Sequence, residues 1–255
     1  MIRKAEFSPF VRNEYPTSDG RPMAETDFHR DLMVRVIDVL QTWFAYDPFI
    51  YVSGNLLVCY EEGNKRRHVA PDAFVVKGVP SGKRENYLIW KEGRSPDVVI
   101  EITSRTTRDE DTQKKFELYR DRLRVKEYFL FDPFEEYLFP SLLGYRRVKD
   151  QFRTIRPIDG RIPSRVLGLH LERDDDILQL WNPDSRVWLK PASERANEAT
   201  RTAELAELAR REAELELRES IILRKEADLA RRIAEAETAR LQSENEILRQ
   251  QLNQK

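Results

Sequence analysis

From residue 26 the apolar positions fall into a helical rhythm. Leu32, Met33, Val36, Ile37, Leu40, Trp43 and Phe44 recur at three- and four-residue spacing behind the polar stretch Glu25-Thr26-Asp27, so the pattern predicts an amphipathic helix with Thr26 or Asp27 as its N-cap. Five short runs rich in β-branched and aromatic residues follow, at 49–52, 55–60, 72–76, 87–90 and 97–102. Turn residues such as Ser53-Gly54, Glu62-Gly63-Asn64 and Pro80-Ser81-Gly82 separate them, which predicts a sheet. Residues 109–123 return to helical spacing, with Phe116, Leu118, Tyr119 and Leu123 on or near one face. A buried strand over 127–131, closed by Asp132-Pro133, comes next. Helix, strands, helix, strand is the order of an α/β sandwich built on a mixed sheet. Short strand-like pieces at 144–148, 177–181 and 187–189 are expected to complete the same domain as peripheral β-structure.

The rhythm changes again near residue 190. Leu208, Leu215, Ile222, Leu229 and Ala236 stand seven residues apart, and after a phase break Leu241, Asn245, Leu248 and Leu252 continue a seam. That is a coiled-coil signature, with Asn245 at a core position able to fix register, and it implies a homodimer joined through this helix. The alternative is a single solvated helix carried by Glu/Arg pairs four residues apart. The expected organisation is thus a globular domain over 1–190 and a charged coiled-coil helix over 191–255.

Composition supports that boundary. Every Trp, Tyr, Phe and Gly lies before residue 190, and Pro191 is the last proline. The single cysteine, Cys59, has no partner for a bridge and reads as a buried spectator thiol in a reducing compartment. No run reaches the eighteen or so apolar residues of a membrane span, and the N-terminus lacks the apolar core of a signal peptide; a cytoplasmic protein is expected. Lys and Arg number 44 against 45 Asp and Glu, so a net charge of −1 offers no bulk attraction to nucleic acid. A nucleic-acid partner has to be argued from a local site.

Three residues of the first domain suggest such a site. Asp72 starts the run Ala73-Phe74-Val75-Val76, where a buried carboxylate is costly unless paired or metal-bound. Glu101 interrupts Val98-Val99-Ile100-Glu101-Ile102, the most apolar strand of the chain. On neighbouring strands with side chains to one side, the two carboxylates could share a Mg²⁺ ion. Lys115 is preferred over Lys114 because it shares a helix face with Asp111 and Tyr119. Spacing alone leaves other readings open: a strand-end Asp also forms turns, a strand Glu also faces solvent on an edge, and a helix Lys is also solvated. His29, His68 and His170 show no paired ligand spacing, so no zinc site is expected.

Pro71-Asp72 before a strand, Pro96-Asp97-Val98-Val99-Ile100-Glu101-Ile102-Thr103-Ser104, then Asp111, Lys115 and Tyr119, then the stretch from Glu127 to Pro133, together resemble the family of putative restriction endonucleases within the PD-(D/E)xK nuclease superfamily. Tyr15-Pro16-Thr17-Ser18-Asp19-Gly20 and Met23-Ala24-Glu25-Thr26-Asp27 are similar to the opening of one subgroup. The resemblance implies a restriction endonuclease-like mixed sheet flanked by helices: one helix, a three-stranded hairpin-like unit, a second helix and a further strand. It implies that Asp72 and Glu101 hold Mg²⁺ or Mn²⁺, and that a lysine contacts the scissile phosphate and the attacking water. The superfamily lysine stands two residues after the acidic residue, where this chain has Thr103; in this family a helix lysine at the place of Lys115 takes over. Glu25 matches a position where an acidic residue orients a metal-bound water, although it also suits the positive end of the helix dipole.

These expectations point to a metal-dependent endonuclease acting on DNA, with Asp72, Glu101, Lys115 and Glu25 as its catalytic set. The rival expectation, from a different class, is a non-catalytic DNA-binding or scaffolding protein that keeps the fold and assembles through the coiled coil. The basic stretch Arg105-Thr106-Thr107-Arg108 would touch phosphates in either case.

Overall fold

The computed structural model describes residues 15–17, 26–103 and 107–252, with side chains to residue 245. The chain divides into two compact units, Met1–Glu194 and Arg195–Lys255.

Helix α1 spans Asp27–Trp43, and the hydroxyl of its N-cap Thr26 accepts from the His29 N–H at 3.2 Å. The predicted strands appear as β1 (Ile50–Ser53), β2 (Val58–Cys59), β4 (Ala73–Lys77), β5 (Tyr87–Leu88) and β6 (Val98–Ile102), with a two-residue β3 (His68–Val69) that the pattern did not announce. The run at 87–90 is only half strand, because Ile89–Glu92 closes into a single helical turn, α2, ended by Gly93 in the left-handed conformation (φ 71°). Residues 110–122 are helical but wound wider than an α-helix, as two π-helical stretches, Glu110–Lys115 and Leu118–Arg122. The Leu123 N–H reaches back five residues to the Leu118 carbonyl at 2.9 Å.

Strand β7 (Glu127–Phe131) lies parallel to β6, while β8 (Leu142–Val148) and β9 (Gln151–Thr154) continue the sheet antiparallel, giving the order β1-β4-β6-β7-β8-β9. The parallel step needs a crossover, and the π-wound segment supplies it. The sheet is therefore mixed, as expected. Of the pieces expected to be peripheral, 144–148 instead joins the first sheet within β8, because it pairs with β7, while the rest forms a second sheet, β10 (Ile162–Ser164), β11 (Leu169–Asp174), β12 (Ile177–Asn182) and β13 (Val187–Leu189) in sequential order.

Alternation along the strands builds two cores. Ala73, Val75, Val98, Ile100, Ile102, Phe129 and Phe131 face α1, whose Leu32, Met33, Val36, Val39 and Leu40 are buried between this face and Leu169, Leu171, Leu178 and Leu180 of the second sheet. Phe74, Val76, Val99, Tyr128 and Leu130 face the other way, against Tyr119, Leu123 and Val125 of the crossover. Helix α1 is thus an inner layer with apolar contacts on two sides, which explains why its apolar stripe is wide.

The tail is a helix, α3, over Ala192–Leu252. Ion pairs at four-residue spacing run along it, including Arg210–Glu214 at 3.0 Å, Arg231–Glu235 at 2.8 Å and Arg240–Glu244 at 3.2 Å. Leu208, Leu215, Ile222 and Leu229 remain about half exposed on the single chain. Among the described residues, no helix is long and apolar enough to cross a membrane.

Glu127, at the start of β7, fastens the second sheet to the first. Its buried carboxylate accepts from the backbone N–H groups of Arg165 (3.0 Å) and Val166 (3.2 Å), from the Ser164 hydroxyl, and from Arg146 Nε (2.7 Å). Glu127→Ala leaves these donors unmatched and is expected to cost about 3 kcal/mol, read as a lower urea midpoint; an unchanged midpoint would mean that the cluster contributes nothing net.

Candidate active site

The site starts from strand register. β4 and β6 pair antiparallel with Ala73 opposite Ile100, so the next step outward sets Asp72 opposite Glu101. Both project to the face that carries Phe74 and Val99, because side chains alternate along a strand. The Asp72 backbone N–H donates to Glu101 Oε2 (3.3 Å), and the Ile102 N–H donates to Asp72 Oδ2 (2.7 Å). One carboxylate is thereby tied to the backbone beside the other.

The crossover covers this face. Lys115 Nζ is 3.0 Å from Glu101 Oε2 and 2.9 Å from Asp111 Oδ1, and the Tyr119 hydroxyl donates to Glu101 Oε1 at 2.6 Å. Asp111, Lys115 and Tyr119 stand four residues apart and all turn inward, whereas Lys114 is exposed. Tyr128, on β7, donates its hydroxyl to the Asp111 carbonyl at 2.9 Å and holds the crossover down.

Buried acids elsewhere in the domain provide a contrast. Asp97 accepts from the Lys77 N–H (2.6 Å), and Asp132 accepts from the N–H groups of Phe134, Tyr137 and Leu138. Like Glu127, these carboxylates pin backbone at strand ends. Glu101 is fully buried yet bound chiefly by side chains, a cation and a phenol, which is the signature of a site rather than of a turn.

The charges do not balance. Three carboxylates, Asp72, Glu101 and Asp111, surround the single ammonium of Lys115. Burial pushes Glu101 well above the usual carboxylate range, Lys115 pulls it back, and Asp72 and Asp111 push it up again. Burial raises Asp111 as well. Burial alone would depress Lys115, but the carboxylates of Glu101, Asp111 and Asp72 outweigh it and hold the ammonium above its ordinary value. Lys115 therefore stays charged, and Glu101 is the group that takes up a proton. Burial also raises Tyr119, and the adjacent Glu101 carboxylate adds to the rise, so its hydroxyl remains a donor.

With all three carboxylates ionised the cluster carries a surplus of two negative charges, which suits a hard dication, and Asp72 with Glu101 could hold one. Among the described residues no three His, Cys, Asp or Glu side chains stand together as a complete metal site. Further ligands would be backbone carbonyls, water or substrate, as is usual for Mg²⁺.

One neighbour went unnoticed in the sequence. His29, on α1, places Nε2 3.4 Å from Asp72 Oδ1 with its side chain only 12% exposed. Its one sequence signal is its place in the first turn of the helix, four residues after Glu25. Glu25 itself lies outside the described residues, as do Arg105 and Thr106 of the basic stretch; Arg108 is exposed. Thr103, which stands where the superfamily lysine is expected, is buried, and its hydroxyl finds no hydrogen-bond partner among the described residues. Lys115 occupies the space on the Glu101 side instead.

A mixed α/β sheet with two opposed carboxylates at the end of neighbouring strands, and a lysine against one of them, defines a restriction endonuclease-like domain. The chain belongs to the Uma2 family, described as "Putative restriction endonuclease", whose model matches residues 4–173. It is also similar to a crystal structure described as a putative nuclease from Anabaena variabilis, with 17% identity, 60% of this chain and 81% of that chain covered, and a TM-score of 0.44. No curated protein matches it.

Because Glu101 is raised in the folded state, the fold binds a proton more readily than the unfolded chain does. The resulting stability is present at low pH and lost as pH rises past the ordinary glutamate range. In metal-free buffer the parent protein should lose thermal stability relative to Glu101→Gln as pH rises above about 5, with a slope of at most about 1.4 kcal/mol per pH unit for one proton. Parallel pH profiles of the two proteins would remove Glu101 as the proton acceptor.

Proposed function

We propose that this protein is a metal-dependent endonuclease that hydrolyses phosphodiester bonds in DNA, with Asp72, Glu101 and Lys115 as its catalytic residues. The observation that carries the reading is the opposed pair Asp72 and Glu101 with Lys115 Nζ 3.0 Å from Glu101. Asp72 and Glu101 would hold the ion, Mg²⁺ or Mn²⁺. Bound there, the metal would polarise the phosphate and lower the pKa of a water molecule.

The chain's own residues do the rest. The Ile102 N–H and the Tyr119 hydroxyl orient the two carboxylates, so that they do not have to reorganise during the reaction. The Lys115 ammonium, shared between Glu101 and Asp111, is positioned to steady the attacking water and the charge that develops on the phosphate oxygens. Water gives up a proton to solvent as it adds to phosphorus, the bond to the leaving sugar oxygen breaks, and that oxygen takes a proton from solvent. Glu25 is assigned to the same set through the family position alone, as the residue that orients the metal-bound water.

The chain is further proposed to act as a homodimer through α3, which would bring two active sites to the two strands of a duplex. The support is the row Leu208, Leu215, Ile222 and Leu229, about half exposed at seven-residue spacing. Light scattering should report twice the chain mass for the full protein and a single mass for residues 1–190. A monomeric full-length protein would assign α3 to the solvated-helix class.

Nicking of supercoiled plasmid is expected with Mg²⁺ or Mn²⁺, to cease with EDTA, and to fall by a factor of 100 or more in Asp72→Asn, Glu101→Gln and Lys115→Met. Cleavage by Glu101→Gln at the parental rate would end this assignment. A metal-dependent thermal shift with no cleavage across single- and double-stranded substrates would instead favour the non-catalytic binding or scaffolding role.

A further inference from the structure

The Arg-rich segment from 146 to 165 lies away from the site just described. It holds Arg146, Arg147, Lys149, Arg153, Arg156, Arg161 and Arg165 against Asp150 and Asp159, a local surplus of five positive charges in a chain of net charge −1. The fold collects part of this surplus in one groove of about 490 Å³. Arg146, Arg153, Arg156 and Arg165 line it, along with apolar walls such as Ile155 and Pro163, and no acidic side chain does.

Strand pairing sets Arg146 directly opposite Arg153, so both lie on the same sheet face as Leu142 and Ile155. Glu101 points to the other face, and it pairs with Leu130 whereas Val98 pairs with Glu127 at the opposite end of β7. The groove and the carboxylate site are therefore on different faces and at different ends of the strands.

Glu127, behind the lining, anchors two of the groove's residues. It holds Arg146 Nε at 2.7 Å and the backbone N–H of Arg165 at 3.0 Å, which fixes where the Arg165 side chain leaves the loop. The other cations are uncommitted: among the described residues no carboxylate stands within ion-pair distance of Arg153, Arg156 or Arg165, although nearby Arg161 and Arg147 are paired with Glu172 and Asp150. β9 is the outer strand of its sheet, so its free backbone edge borders the same region.

We propose that this groove is a second nucleic-acid contact, binding the phosphate backbone of duplex DNA independently of the carboxylate site. Three unpaired guanidinium groups, delivered by β9, the segment after it and the loop after β10, match the repeating charges of a polynucleotide, and each can grip a phosphate through two N–H donors. The apolar walls suit the sugars between the phosphates. Backbone contacts of this kind position a protein without reading sequence. The choice of DNA over another polyanion rests on the nuclease reading.

The test uses the full chain with a short fluorescent DNA duplex in EDTA, with binding followed by anisotropy over a salt series. The triple variant Arg153→Gln, Arg156→Gln, Arg165→Gln should bind at least tenfold more weakly at moderate salt. Its slope of log affinity against log salt should be shallower by about 2–3, because each phosphate left without its guanidinium removes about 0.9 from the slope. The triple variant should keep the parental thermal midpoint because its altered side chains are on the surface.

Unchanged affinity and slope in the triple variant, or no binding by the parent, would overturn the proposal. Equal competition by inorganic polyphosphate or by poly-glutamate would reassign the groove to a free polyanion or to an acidic protein, and overturns it too. Absence of cleavage with binding intact would refute only the nuclease reading, and cleavage with unaltered binding by the triple variant would refute only this one.

Discussion

A carboxylate with no solvent around it governs this domain. Glu101 sits in the middle of the largest sheet, and an ionised group there is tolerated only if cations and donors replace the water it lost. Lys115 and Tyr119 supply that replacement, and both come from the segment that crosses from β6 to β7. The crossover is therefore tied to the sheet by the same contacts that arrange the charges. Its wide winding fits this demand: π-helical turns are uncommon in helices at large, and here they occur where the side chains of Asp111, Lys115 and Tyr119 turn to one side.

The other buried acids show what an ordinary structural carboxylate looks like in the same fold. Asp97, Glu127 and Asp132 each accept backbone N–H groups, and each fixes a turn or a junction. Asp132 is held by backbone N–H groups, and Asp97 and Glu127 each add one cation of their own, Lys126 and Arg146. The cluster of Asp72, Glu101 and Asp111 is balanced by one ammonium and stays short of positive charge. A folded protein keeps such an imbalance at the expense of its own stability, which is why function is the economical explanation for it.

Charge is also partitioned in space. The negative cluster occupies the face under the crossover, and the arginine groove lies on the face turned towards α1 and the second sheet. Near-neutral composition concealed both features, because opposite surpluses in different places cancel in the total. Bulk charge is thus a poor guide to partners when a fold can sort its residues onto opposite faces.

Much of the architecture is legible in the residues. The stripe from Leu32 to Phe44 specifies α1, Thr26 its start, and the runs ending at Val76, Ile102 and Phe131 three central strands, since these depend on local periodicity and capping. The break in composition near residue 190 marks where globular sequence gives way to helix. Asp72 and Glu101 stood out because polar residues in apolar surroundings are conspicuous, and Lys115 because it shares a helix face with Asp111 and Tyr119. The sequence was silent where chemistry depends on partners far apart in the chain. The closeness of His29 to Asp72, the burial of Asp111 and the gathering of Arg146, Arg153, Arg156 and Arg165 arise from strand register and from the packing of α1 and the second sheet. The π winding is likewise set by contacts with the sheet, because the apolar spacing of 109–123 serves an α-helix equally well. Local sequence determined which elements form and which residues are costly to bury; only the tertiary structure decided what each costly residue meets, because long-range pairing, not periodicity, brings those partners together.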